Sequence, residues 1–374
     1  MSVWDQLVGQ RPVVEQLRRA VAGEMTHAWL FTGPPGSGRS NAALAFAAAL
    51  QCEQAGCGEC SDCHQVAINA HPDVRLVRTE MLTIGVDEVR ELVRLAALAP
   101  AGGGSQIIII EDSDRLTEQA ANALLKAVEE PNAHTIWLLC APTIEDVLPT
   151  IRSRTRLVTL ATPLISEVTE FLVSMEGIPR TVAAYAARAS QGHIGRARAL
   201  AVDDDVKRRR REVVAIPMKL DSQGAAMIQA ANLASVAAEE AEALTGEINA
   251  REKEQLNLSF GVMERGRKPR GYEPALKELE KAQKARATRR QRDVVDRSLI
   301  DLISVYRDVL SLQLGAQSEL VNEDVRPDLM ELARRSEPEL SLRRIDAILR
   351  ARQQVMEFNV PPLLALEAMM SALR

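Results

Sequence analysis

Residues Gly33-Pro34-Pro35-Gly36-Ser37-Gly38-Arg39-Ser40 have the spacing of a phosphate-binding loop, G-x-x-x-x-G-K-[ST], with Arg39 where the lysine belongs. Glycines let backbone N–H groups turn inward as an anion nest, and a helix starting near Ser37 adds the positive end of its dipole. Both terms survive the substitution. Lysine acts as a compact point charge between the terminal phosphates, whereas a guanidinium is planar, bulkier and directional, so the exchange is not conservative. Gly33, Gly36, Gly38, Arg39 and Ser40 therefore form a candidate site for ATP with Mg2+, in which the loop can still bind phosphate while both nucleotide binding in the cell and hydrolysis are left open.

Cys52-x4-Cys57-x2-Cys60-x2-Cys63 gathers four of the five cysteines into one loop. Four thiolates at this spacing can close a tetrahedron around one Zn2+ without help from elsewhere in the chain. The rival is an iron–sulfur cluster, since C-x2-C-x2-C also occurs in ferredoxins, but the C-x3-C-P continuation is absent here. With every ligand a protein thiolate and no open position, the metal staples a loop and takes no part in catalysis. Disulfides are not expected in a reducing cytosol. Cys140, at the end of an apolar run, reads as a small buried side chain.

Ile107-Ile108-Ile109-Ile110-Glu111-Asp112 is an apolar strand ending in two carboxylates, the form of a Walker B segment. In an active ATPase the first carboxylate helps hold Mg2+ and the second orients the attacking water. Working members of P-loop ATPase families usually have Asp then Glu. Here Glu111 precedes Asp112, so the second group is one methylene short, and a displacement of about 1 Å can cost roughly 10²-fold in rate. Further on, Arg152, Arg154 and Arg156 alternate through Thr150-Ile151-Arg152-Ser153-Arg154-Thr155-Arg156. By composition alone this is a solvated basic loop or a phosphate contact to DNA.

Elements must position these groups. Short apolar runs at residues 28–32, 73–77, 107–110, 135–140 and 156–160 read as buried strands, alternating with helical patterns at 39–51, 86–99, 118–129 and 144–150. That alternation predicts α/β architecture, a parallel sheet with crossover helices on both faces. Gly102-Gly103-Gly104 marks a mobile connection. After Pro163 the strand signal ends, and residues 165–176, 180–190 and 194–200 read as a small helical lid. From Asp203-Asp204-Asp205 onward the chain reads as helices only, with Val295, Leu299, Leu302, Ile303, Tyr306, Val309 and Leu310 on one face and Leu363, Leu366, Met370 and Leu373 repeating the spacing. The expected domains are 1–163 with the cysteine knot at 52–63, a lid at 164–203, and an all-helical domain at 204–374. Residues 251–297, rich in charges of both signs, form its least core-like segment.

The 374 residues exceed the roughly 150 typical of one domain, and 46% apolar with 26% charged residues fits a globular chain, not a disordered or fibrous one. Aromatics make up 3%, while Ala, Leu and Arg are heavily used, which favours helix. A formal charge of −5 gives no overall attraction to nucleic acid, so any such contact needs a local patch or a partner. Residues 1–20 lack an apolar signal core and the longest apolar run, 42–50, is too short to span a bilayer, so a cytoplasmic protein with no membrane contact is expected.

The order of motifs along the chain carries a resemblance. Gly9-Gln10, His27-Ala28, the loop at 33–40, the cysteine knot, His71-Pro72-Asp73, Glu111-Asp112-Ser113-Asp114, Asn122-Ala123-Leu124-Leu125-Lys126-Ala127-Val128-Glu129-Glu130-Pro131 and Thr150-Ile151-Arg152-Ser153-Arg154 resemble bacterial clamp-loader subunits of the AAA+ superfamily, densely over about residues 3–160. The resemblance implies a P-loop AAA+ domain with a zinc insert at Cys52, Cys57, Cys60 and Cys63, a helical lid and a helical collar. It also implies a hetero-pentamer of clamp-loader subunits that loads a sliding clamp onto primed DNA, with Arg154 as an arginine finger acting on a neighbour's ATP. Whether the chain is itself an enzyme is left open by Arg39 and by the Glu111-Asp112 order; the alternatives are an ATP-hydrolysing motor subunit or other DNA-remodelling AAA+ ATPase, and a zinc-dependent nucleic-acid binding module. Thr155 stands where the family motif has cysteine. Arg196 lies one position out of register with a sensor arginine and is not assigned. The arginine-rich stretch after Arg251 is not matched to the family by these motifs and reads as a hairpin of helices, a DNA-facing patch or a flexible insert.

Overall fold

A computed structural model describes residues 2–79, 81, 83–102, 104–262 and 269–374, arranged as two units, Met1–Val202 and Asp203–Arg374. Gly103 and the stretch 263–268 of the charged segment lie outside the described residues.

In the first unit α1 (Arg11–Val21), β1 (Ala28–Thr32), α2 (Arg39–Gln51), α3 (Ser61–Ala67), β2 (Val74–Val77), α4 (Val86–Ala96), β3 (Gln106–Ile110), α5 (Glu118–Glu129), β4 (Thr135–Ala141), α6 (Pro149–Arg152) and β5 (Arg156–Thr159) precede three helices, α7 (Ile165–Glu176), α8 (Arg180–Ala189) and α9 (Ile194–Val202). The five strands pair in parallel in the order β2-β3-β4-β1-β5. Because successive side chains point to opposite faces, Trp29, Phe31, Ile107, Ile109 and Leu138 enter one core with Phe46 of α2, while Leu30, Ile108, Ile110, Trp137 and Leu139 enter the other with Leu92 of α4 and Leu124 of α5. Both faces of β1, β3 and β4 are covered, which is why these three read as continuous apolar runs, while the edge strands β2 and β5 are partly exposed. The fold is the expected α/β sheet followed by helices.

Several local expectations change. A helix at 144–150 is replaced by the one-turn α6: Thr143 donates from its N–H and its hydroxyl to Asp146 Oδ2, and Leu148, preceding Pro149, is extended at φ −51°, ψ 134°. Proline disfavours helical backbone in the residue before it, so the helix can begin only at Pro149. The helix expected at 86–99 ends at Ala96, ahead of Pro100. The cysteines are not all in a loop: Cys52 caps the end of α2, and Cys60 caps α3, which contains Cys63. Helix α1, not foreseen, has Pro12 in its first turn and buries Val13, Leu17 and Ala20 at helical spacing.

The second unit holds α10 (Asp204–Val214), α11 (Gln223–Ser259), α12 (Tyr272–Gln313), α13 (Arg326–Arg335), α14 (Pro338–Met356) and α15 (Pro362–Ala372). Helix α12, 42 residues and so about 63 Å long, is the spine against which α10, α11, α13 and α14 pack. Val295, Leu299, Leu302 and Tyr306 are fully buried in its core with Leu366, Met370 and Leu373, whereas Leu363 is 40% exposed. The segment 251–297 is more core-like than its charge suggests. Its described part is helical hairpin, and the buried Arg286 is held by Glu252 through Nη1–Oε2 at 3.0 Å and Nη2–Oε1 at 2.7 Å. Buried Asp308 accepts from the backbone N–H groups of Val321 and Asn322 and from the Asn322 amide, pinning the α12–α13 connection to the spine.

Candidate functional site

The phosphate loop runs from the end of β1 into the first turn of α2. Gly36 and Gly38 have φ of +85° and +91°, a region L side chains rarely adopt. Gly36 is also closed on by the lid: a Cβ there would lie 2.3 Å from His193 Cγ, so the imidazole packs directly on the loop. Gln10, nearly fully buried, donates from Nε2 to the carbonyls of Ser37 (3.4 Å) and Ala161 (2.7 Å) and accepts at Oε1 from the Ala161 N–H, tying the loop to the chain after β5. Ser37 Oγ is buried and has no hydrogen-bond partner among the described residues. The Arg39 guanidinium donates through Nη1 to the Gly33 carbonyl, so the cation in the lysine position is turned onto its own loop.

The acidic strand end is likewise engaged. Register Val77↔Ile110 between β2 and β3 sets the next residues, Arg78 and Glu111, side by side. Arg78 Nε and Nη2 bond Glu111 Oε2 and Oε1 at 2.5 and 2.9 Å, with the carboxylate 8% exposed and the guanidinium 62% exposed. Asp112 precedes a short 3-10 turn and lies 4.0 Å from Arg115. Burial, reinforced by Asp112, pushes the Asp114 carboxyl up, against the opposing pull of Arg115 and Arg39. Burial pushes the Cys140 thiol at the end of β4 up, and the charges of Arg39, Glu111 and Asp112 act on it as well.

The four knot sulfurs lie within 4.8 Å of one another, with Cys52 Sγ 3.6 Å from both Cys57 Sγ and Cys60 Sγ. A tetrahedron with metal–sulfur bonds of 2.3 Å has edges of about 3.8 Å, so the set fits one metal ion. Backbone N–H groups of Glu59 and Cys60 point at Cys57 Sγ, that of Gly58 at Cys63 Sγ and that of Cys63 at Cys60 Sγ, as outer-shell donors to thiolates do. Burial pushes the Cys52 thiol up, but the N–H groups of Cys57, Gly56 and Gln54 outweigh it and bring the group down to about 6; burial and the neighbouring thiols push Cys63 up to about 12. Like charges this close do not ionise together without a cation. The N-terminus clamps the knot: Val3 N–H and Ser2 Oγ donate to the Gly56 carbonyl, and Trp4 Nε1 to that of Ala55.

Arg154 stands in the turn between α6 and β5. Its Nη1 donates to the Thr150 carbonyl (2.9 Å) and to Ser153 Oγ (3.2 Å), and Nη2 lies 2.8 Å from Glu129 Oε1 at the end of α5. These partners belong to its own turn and to α5, not to the phosphate loop. Thr155 Oγ1 bonds the Arg152 carbonyl and closes the turn. Arg156 donates to the Glu24 carbonyl and stacks over Trp29. Arg196 lies in the first turn of α9, its N–H donating to His193 Nδ1. Sequence reasoning missed Arg78, His193 on Gly36, and Glu129 as the partner of Arg154. A cation one residue beyond a strand was the available signal for Arg78, but it needs the strand order to be useful.

Residues 9–163 match the family model described as DNA polymerase III, delta subunit, and residues 286–374 that described as DNA polymerase III, delta subunit, C terminal. The chain is 39% identical over 156 residues to DNA polymerase III subunit gamma/tau of Mycobacterium bovis, covering 40% of this chain and 27% of that one. It is 35% identical over 159 residues to subunit delta' of Pseudomonas aeruginosa (41% and 45%) and 35% identical over 202 residues to subunit delta' of Escherichia coli (52% and 60%). The chain thus spans between 27% and 60% of the length of these curated relatives. A solved RuvB chain of Thermotoga maritima is similar at 19% identity with a TM-score of 0.39, over 57% of this chain and 65% of that one. Among the described residues no helix is long and apolar enough to cross a membrane.

Proposed function

We propose that this chain, whose residues 9–163 and 286–374 belong to the DNA polymerase III delta-subunit family, works as a delta-prime-like, non-motor subunit of the bacterial clamp loader. It assembles with other clamp-loader subunits, assists ATP-dependent loading of the sliding clamp onto primed DNA, and lends Arg154 to the nucleotide of a neighbour while its own pocket is chemically idle. The observation that carries this reading is the double engagement of the pocket: Arg39 on the Gly33 carbonyl and Arg78 on Glu111. A hydrolysing site needs both groups directed at phosphate and Mg2+. Here each is bonded within the protein.

Arg154 suits the opposite role. Its side chain is 41% exposed, its guanidinium is held in direction by Thr150, Ser153 and Glu129, and a guanidinium supplied from a neighbour is worth about 10³ to 10⁵ in rate when it meets the transferring phosphoryl group. Cys52, Cys57, Cys60 and Cys63 hold a structural Zn2+, which cross-links the end of α2 to α3 and supplies no catalytic chemistry because all four ligands are protein sulfurs. Gly33, Gly36, Gly38, Arg39 and Ser40 are the residues that would hold ATP with Mg2+, with Arg39 turned onto the Gly33 carbonyl and His193 packed on Gly36.

Reconstitution with the ATPase subunits of a clamp loader tests the reading. Arg154→Ala is expected to remove DNA-stimulated turnover from the mixture while the complex still assembles; full turnover with Arg154→Ala, or brisk turnover by the purified chain alone, overturns it. A motor subunit is the second reading, favoured by the phosphate loop itself, whose Gly36 and Gly38 keep positive φ between β1 and α2. It requires ATP turnover by the isolated chain.

A further inference from the structure

Glu129 closes α5, where the negative end of the helix dipole disfavours a carboxylate, and a second acid, Glu130, follows it. Its partner Arg154 offsets that placement, with Nη2 2.8 Å from Oε1. The guanidinium is gripped from two sides, by the Thr150 carbonyl and Ser153 hydroxyl of its own turn through Nη1 and by α5 through Nη2. Five N–H donors exceed these three contacts, so the group can take a phosphate without first releasing its anchors. At 41% and 37% exposure the ion pair is screened by water, which makes it an orienting contact and not a lock.

We propose that Glu129 is a positioning residue for Arg154: it fixes the direction of the guanidinium from the adjacent helix, so that the fork meets a neighbour's terminal phosphate already aligned. The inference rests on the arginine-finger reading above. A guanidinium anchored only through Nη1 swings about that edge, and the loss falls on the transition state, where alignment matters, more than on nucleotide binding.

The test is DNA-stimulated ATP turnover by the reconstituted assembly. Glu129→Ala is expected to lower kcat about tenfold, less than the roughly 10²-fold cost of a 1 Å misplacement, with KM for ATP unchanged, the complex intact by gel filtration and the melting curve of the chain unshifted. Glu129→Gln, which keeps an oxygen for Nη2, is expected to recover most of the rate. Combined with Arg154→Ala, Glu129→Ala should add no further loss. Wild-type turnover by Glu129→Ala while Arg154→Ala is impaired overturns the positioning role and leaves the finger standing; an additive loss in the double variant overturns it as well. Wild-type turnover by Arg154→Ala removes the finger itself, and this inference with it.

Discussion

Arg78 and Glu111 meet as a two-pronged ion pair across the step from β2 to β3, and the pair takes up the first carboxylate of the acidic strand end. The partnership follows from strand register, one residue beyond the last paired positions Val77 and Ile110. Because the carboxylate is nearly buried and the arginine is not, the pair matters more as compensation for Glu111 than as a surface bridge. Arg78→Ala is expected to cost about 1 kcal/mol, the penalty of leaving a largely buried acceptor unpaired. Urea denaturation of the two proteins measures it, and coincident midpoints sink the claim.

Arg39→Lys removes the planar fork that reaches back to the Gly33 carbonyl and restores a point charge. Tighter ATP binding is expected in titration calorimetry, with turnover still at background because Arg78 continues to occupy Glu111. A variant that binds no better shows that the Arg39 contact does not govern the loop.

Metal removal should be felt at the N-terminus. Chelation leaves four crowded thiols without a cation, and the Gly56 and Ala55 carbonyls that hold Ser2, Val3 and Trp4 lose their frame. The expected signals are release of one zinc per chain, a red shift of tryptophan emission from Trp4, and a lower melting temperature for the first unit. Cys63→Ser, purified without chelator, should carry little metal; full occupancy in that variant contradicts the ligand set.

Alkaline pH should weaken the second unit through Tyr306. Burial pushes its hydroxyl from 10.0 up to about 12, opposed by Arg344. The folded state therefore holds the proton more tightly than the unfolded chain. This stabilising contribution is complete below pH 10 and is lost as pH rises from there to about 12, a drop of about 3 kcal/mol at most. Tyr306→Phe should flatten that part of the stability profile, and an unchanged slope would remove Tyr306 as its source.

Much of the sheet domain was legible because its signals are local. The bounds of β1, α2 and α5 follow directly from apolar runs and helical spacing between turn residues. Helix α1 has its signal in Pro12 and in the spacing of Val13, Leu17 and Ala20, but its face is only three buried residues wide among charged neighbours, a weak period in a short stretch. The 144–150 stretch was misread for a physical reason: its helical pattern was overridden by Pro149 and by the Thr143–Asp146 turn. Charge density hid the packing of α11 and α12, because Arg286 and Arg292 are buried against Glu252 and Asn359 and a sequence shows charge without showing its partner.

The sequence by itself determined what depends on near neighbours: a glycine-rich loop between a strand and a helix, four cysteines close enough along the chain to share one ion, a strand ending in acids, and an arginine in a tight turn. Tertiary structure decided what those groups face. Arg78 lands on Glu111, His193 on Gly36 and Glu129 on Arg154, because the β2-β3-β4-β1-β5 order and the packing of the lid join segments far apart in sequence. Strand order is a collective result of covering both faces of the sheet at once. No local pattern encodes it, so the partners that hold the pocket's charges emerge only when the chain is folded.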